Sequence, residues 1–189
     1  IQRTPPWQDF LPGATISQET KDLTKLETGL LDQYNNLSRF YAIDPTDGSV
    51  ERSRIASPPP GVNAEAGFSD SGVRSAFLEY VTYVAKAYSP DYLAIGVEIN
   101  MLFERNPAQF DAFVSLYKEA YTLAKAASPK TKVFPTFQLQ DLEGTFDQVH
   151  DPHWQVVDAF RGSMDVLAIS TYPYLGNIRV ASDIGPTAY

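Results

Sequence analysis

The stretch Tyr92-Leu93-Ala94-Ile95-Gly96-Val97-Glu98-Ile99-Asn100 decides the fold of this chain. Its Leu, Ile and Val residues favour an extended backbone, and Pro90-Asp91 punctuates its start. Side chains alternate on a strand, so Leu93, Ile95, Val97 and Ile99 share one face. Ala94, Gly96, Glu98 and Asn100 share the other, small at first and polar toward the carboxyl end. Such a strand is buried on both faces, where an ionised group is costly without partners. Glu98 is therefore either half of an internal pair with an Arg or Lys, or a site carboxylate at a strand's carboxyl end.

The same asymmetry recurs on either side. Residues 37–44 read as a strand with Phe40, Ala42 and Asp44 against Tyr41 and Ile43, running into the turn Pro45-Thr46-Asp47-Gly48. Residues 132–140 alternate Thr136, Gln138 and Gln140 against Val133, Phe137 and Leu139, although Pro135 cannot donate to a ladder. Residues 165–173 place Ala168, Ser170 and Tyr172 opposite Leu167, Ile169 and Thr171. Helical spacing fills the intervals. It puts Leu23, Leu26, Leu30, Leu31 and Tyr34 on one stripe over 15–36, and Val73, Phe77, Tyr80, Val81, Val84 and Tyr88 on another over 70–88. A third stripe starts at Pro107 with Phe110, Phe113, Val114, Tyr117, Tyr121 and Ala124, and stops at Ser128-Pro129. A short fourth, over 153–162, rests on Trp154, Val157 and Phe160. Residues 1–14 carry no period and read as a loop. Residues 51–70, with Pro58-Pro59-Pro60-Gly61, form a loop long enough to be functional or disordered.

Strict alternation of helix and strand means an α/β fold with a parallel sheet. Each strand is apolar on one face and small-then-polar on the other, which suits a partial (β/α)8 barrel of about four parallel strands. An open doubly wound sheet would be apolar on both faces and would favour a Gly-rich phosphate loop, which is absent. A full barrel takes roughly 250 residues, so this chain is expected to hold about half of one.

Composition narrows the function. The 189 residues, 43% hydrophobic, support one domain over 1–189, and the net charge of −8 excludes a nucleic-acid footprint or an anionic membrane surface. No apolar run approaches membrane-spanning length. With no cysteine there is no disulfide and no thiolate chemistry, and the compartment stays open. The chain starts at Ile1 and stops on Gly185-Pro186-Thr187-Ala188-Tyr189, so it is expected to be a piece of a longer protein. Helix packing accounts for most of its 11 Tyr and 11 Phe, although so many aromatics also suit flat, polar-rimmed ligands.

The strand ends deliver Asp44 and Asp47, Glu98 and Asn100, Gln138, Gln140, Asp141 and Glu143, then Ser170, Tyr172 and Tyr174. Carboxylates, amides and Tyr hydroxyls beside aromatic faces are what a sugar site uses. Glycoside hydrolysis needs two carboxyl groups, about 5–5.5 Å apart for retention or about 6.5–9.5 Å for inversion.

Gly96-Val97-Glu98-Ile99-Asn100, with Ser170-Thr171-Tyr172-Pro173-Tyr174 two strands later, resembles the clan A glycoside hydrolases. The arabinogalactan endo-β-galactosidase-like families are the nearest of these. The resemblance implies that Glu98, at the end of the fourth barrel strand, is the general acid/base. It implies a retaining mechanism on a β-linked plant-type glycan, without a cofactor or metal. Asn100, Asp44, Gln138, Gln140, Tyr172 and Tyr174 would contact substrate. The chain would run from the second helix through the sixth strand, leaving the nucleophile on a seventh strand outside it. The remainder of the barrel, or a second chain, is expected to close the sheet. Val97 stands where that clan carries Asn, and Asn100 on the same face would have to substitute for it.

Two rivals remain: a carbohydrate-binding barrel without catalysis, which Val97 favours, and a metal-dependent barrel hydrolase working through His150-Asp151-Pro152-His153 with Asp147. That His segment lacks the helical i, i+4 pair of a metalloprotease and reads as a surface loop. Asp44-Pro45-Thr46-Asp47-Gly48 is too short for a calcium loop and lacks its distal Glu. Asp165 begins its strand, on the stability side of a barrel. There is no Ser-centred elbow, and the sequon Asn36-Leu37-Ser38 abuts a strand.

Overall fold

A computed structural model describes residues 1–63, 65–146 and 149–172. The chain is α/β, with parallel strands alternating with helices. Strand β1 (Gln2–Arg3) and the single turn α1 (Trp7–Phe10) precede α2 (Gln18–Gln33) and β2 (Phe40–Ile43). Then come α3 (Ser71–Tyr88), β3 (Tyr92–Ile95), α4 (Asn100–Arg105) and α5 (Pro107–Ala127). They are followed by β4 (Lys132–Phe134), β5 (Thr136–Gln138), α6 (Leu139–Leu142), α7 (Gln155–Asp158) and β6 (Ala168–Ser170). No helix among the described residues is long and apolar enough to cross a membrane.

The strands run in the order β1-β2-β3-β4 and then β5-β6, every pair parallel. Pro135 interrupts what periodicity reads as one strand, because it has no N–H to give. Hydrogen bonds step around the break. The Thr136 N–H donates to Gly96 O at 3.0 Å, the Ile99 N–H to Thr136 O at 3.0 Å, and the Asp165 N–H to Val133 O at 2.9 Å.

One sheet face carries the main core. Tyr41, Ile43, Leu93, Ile95, Val133 and Phe137 pack there against the buried stripes of α3 and α5. The Asp70 carboxylate caps α3 by accepting from the Gly72 and Val73 N–H groups. Asn106 caps α5, with Pro107 in its first turn. The second face holds a smaller cluster of Ala42, Ala94 and Phe134.

Four expectations need correction. Residues 1–14 are not all loop: Gln2 and Arg3 pair in register with Ala42 and Ile43, a contact too short and polar to leave a period. The structure therefore includes the strand ahead of α2 as well. Most of the α2 leucine stripe does not face the core: Leu26 is 61% exposed, Leu23, Leu30 and Tyr34 are also exposed, Leu31 alone packs partly buried against it, and Glu27 is the buried residue. Periodicity identifies an apolar face but not what covers it. Of the stripe expected over 153–162, Phe160 is fully buried and Val157 packs against the core, but Trp154 is exposed and Val156 is buried instead, because α7 is only one turn long. Finally, β3 ends at Ile95, and Asn100 opens α4 rather than continuing a strand. Likewise Leu139 and Gln140 lie in α6.

Candidate active site

Glycine makes the turn after β3. Gly96 has φ +92°, and a Cβ there would lie 2.7 Å from Cζ of Phe113. Any other residue would be strained and in collision. The turn moves Val97 off the core face and onto the cluster of Ala42, Ala94 and Phe134. It sets Glu98 at φ +51°, a left-handed conformation that costs of order 1–3 kcal/mol for a residue with a side chain. The Glu98 N–H is held by Thr136 Oγ1 at 2.9 Å.

The Glu98 carboxylate is buried and engaged at both oxygens. Oε1 accepts from Ser170 Oγ at 2.7 Å, and Oε2 accepts from Arg52 Nε at 3.1 Å. The Arg52 guanidinium reaches the other way through Nη1, 2.7 Å from Asp44 Oδ1 and 3.0 Å from Thr46 Oγ1. Asp44 Oδ2 accepts from Gln2 Nε2 at 3.1 Å. One guanidinium thus bridges the carboxylates at the ends of β2 and β3. Arg52 and its neighbour Glu51 also have left-handed backbones, at φ +61° and +53°. Three strained residues therefore meet at one place, as they do at sites where geometry is over-determined.

Gly48, Glu51, Arg52, Glu98, Met101, Gln138, Phe146 and Tyr172 wall a cavity of about 470 Å³ at the carboxyl ends of the strands. Burial pushes the Tyr172 hydroxyl up, and its hydrogen bond to the Glu98 carboxylate adds to the rise. Glu98, Gln138 and Tyr172, expected together from sequence, do converge. Asp44 sits behind Arg52. Gln140 is not in the wall; its Oε1 accepts from Gln138 Nε2 and the Tyr172 N–H, both at 3.0 Å, so it holds two wall residues in place. Asn100 is fully buried away from the cavity. Its Oδ1 accepts from the Gln138 N–H at 2.8 Å, and its Nδ2 donates to Asp141 Oδ2 at 2.6 Å. Both ends of the amide are used within the fold, because the chain has already turned into α4. Asp47 is taken up in the 48–50 turn, where its Oδ1 accepts from the Ser49 N–H at 3.0 Å. Asp141 is buried and paired with Arg105, and Glu143 is exposed. Tyr174 lies outside the described residues.

Arg52 is the residue of this candidate site that sequence reasoning missed. Two features pointed toward it: a buried Glu98 needs a cation, and the long loop after Glu51 holds Arg52 and Arg54. No protein-family model matches the chain, and a search of curated proteins gives no significant match.

Proposed function

We propose that this chain is part of a glycoside hydrolase acting on a β-linked plant-type polysaccharide or oligosaccharide, built on a (β/α)8 barrel. The remaining strands, from the same polypeptide or a second chain, would complete the barrel. The reading rests on one observation: Glu98, Gln138 and Tyr172 share a cavity at the carboxyl ends of parallel strands, where such sheets open to ligands. In the retaining scheme a carboxylate outside this chain attacks the anomeric carbon as the C–O bond breaks, and Glu98 gives its proton to the leaving oxygen. Glu98 then takes a proton from the water that hydrolyses the glycosyl–enzyme bond. Gln138 and Tyr172 hydrogen-bond sugar hydroxyls, and the Phe146 and Tyr172 rings offer faces for the pyranose C–H groups. The scheme uses no cofactor.

Arg52 favours a second reading, a sugar-binding barrel without catalysis, because it already engages Oε2 of Glu98. Glu98→Gln in the full-length protein separates the two. If Glu98 is the acid/base, hydrolysis of poor-leaving-group glycosides falls by roughly 10²–10⁴-fold while the circular dichroism spectrum is unchanged. Undiminished turnover refutes the catalytic assignment. Calorimetric binding of the same glycan with no hydrolysis by the parent protein selects the binding reading.

A further inference from the structure

We propose that Arg52 anchors substrate in the cavity at Glu98: the Nη2 corner of its guanidinium donates to a hydroxyl oxygen of an uncharged sugar. The proposal rests on the reading of that cavity as a sugar site and holds whether or not Glu98 catalyses. Arg52 is one of the residues that wall the cavity. Its guanidinium is a planar fork of five N–H donors without an acceptor. Nε donates to Glu98 Oε2 at 3.1 Å, and Nη1 donates to Asp44 Oδ1 at 2.7 Å and to Thr46 Oγ1 at 3.0 Å. Two N–H groups remain, both on Nη2, and neither has an acceptor among the described residues. Nη2 is not sealed from solvent either, since His153 Nε2 is the one sealed and unpartnered side-chain atom among those residues.

Other polar groups near Glu98 are more fully committed. Asn100 uses its amide on Gln138 and Asp141. Gln138 donates from Nε2 to Gln140 Oε1 and accepts the Asp141 N–H on its own Oε1. Nη2 is joined through a single carbon to the nitrogen that holds Glu98, so an oxygen bound there sits beside that carboxylate.

The loop fixes the guanidinium before any ligand arrives. The Arg52 N–H donates to Asp47 O at 3.0 Å, Asn106 Nδ2 donates to Ser53 O at 3.2 Å, and Arg54 pairs with Asp47. Little ordering is left for binding to supply, which favours affinity. Charge sets the kind of oxygen. Asp44 and Glu98, each at most 12% exposed, already outnumber the one guanidinium between them, and Glu51 adds a third carboxylate at the wall, paired with Arg105. A uronate or sulfate at Nη2 would bring another negative charge against these, whereas a hydroxyl oxygen takes the same hydrogen bond without that repulsion.

The test is calorimetric binding by the full-length protein, with β-linked trisaccharides of galactose, glucose, mannose and xylose as probes, and needs no turnover. Arg52→Lys keeps a cation between the two carboxylates but lacks the third donor corner. It should retain the circular dichroism spectrum of the parent and bind the preferred trisaccharide about 10–100-fold more weakly. Among monodeoxy forms of that trisaccharide, the one without the contacted hydroxyl should lose a similar factor on the parent and nothing further on Arg52→Lys, the coupling that marks a direct contact. The same comparison with Arg52→Met, made in an Asp44→Asn, Glu98→Gln background where no carboxylate is stranded, removes any dependence on the lysine variant folding. Equal affinity of parent and variants, or the same loss on every monodeoxy form, overturns the role of Arg52 and leaves the sugar site standing. Tighter binding of the matching uronic acid trisaccharide also overturns it. A parent that binds none of the probes overturns it together with the sugar-site reading.

Discussion

Arg52→Met removes the guanidinium that Asp44 and Glu98 share while leaving much of its apolar stem. All three side chains are at most 12% exposed, so little solvent screening applies. Removing one partner of a buried ion pair costs about 3–5 kcal/mol, because the other charge is left uncompensated. Here two carboxylates are stranded, but each keeps a partner, Ser170 for Glu98 and both Gln2 and Thr46 for Asp44. The lower end applies, about 3 kcal/mol, or roughly 6–12 °C in Tm for a domain of this size. A triple variant that adds Glu98→Gln and Asp44→Asn should be less damaged than the sum of its parts, since the charges that suffered are gone. The assay is calorimetric unfolding of each variant at pH 7. A gap below 2 °C, or a triple variant damaged by the full sum of its parts, would falsify the shared-guanidinium account.

Gly96→Ala places a methyl group 2.7 Å from Cζ of Phe113 at a φ of +92°. Strain and overpacking together should lower stability by about 2–4 kcal/mol, read from urea unfolding, and Phe113→Leu in the same chain should recover part of it. A loss under 0.5 kcal/mol would mean that the turn relaxes freely. Asp165 supplies a pH-dependent case. Burial alone would raise its carboxyl, but the Val133 N–H, Lys125 and Tyr121 outweigh this and hold it below its ordinary value. Its stabilisation is complete above the unfolded pKa of about 3.9 and is lost as pH falls through the lower native one. Asp165→Asn should therefore be less stable at pH 7 by about 1–3 kcal/mol, with the gap closing as pH falls below the ordinary carboxylate value. A gap of constant size across that range counts against the assignment.

The alternation of Tyr41 and Ile43, and of Leu93 and Ile95, was legible because a parallel strand under helices must bury its apolar residues, and these it does bury. The α3 and α5 stripes and their caps were legible for the same reason. Gly96 defeated the pattern. A period of two assumes an extended chain, and one glycine at positive φ moved Val97 to the opposite face and carried Asn100 into a helix. Leu26 and Leu30 show a second limit. Local sequence makes a helix amphipathic, whereas the neighbour that its apolar face meets is a tertiary fact. At the site, the residues on regular strand ends were foreseen. Arg52 was not, because it reaches Glu98 across 46 positions from an irregular loop, and nothing in a loop's composition fixes its path.

The break at Pro135 also divides the site kinetically. Arg52, Asp44 and Glu98 hang from the β1–β4 sheet, whereas Ser170 and Tyr172 arrive on the short β5–β6 ladder. That ladder is the thinner body: β6 is three residues long, and its flanking Leu167 is 52% exposed. Local opening starts where buried apolar contacts are fewest. Amide exchange at β6 should therefore outpace that at β3. In each such opening Glu98 would lose its hydroxyl partners on one side and keep its guanidinium on the other, so its microenvironment would alternate between two states without any ligand present.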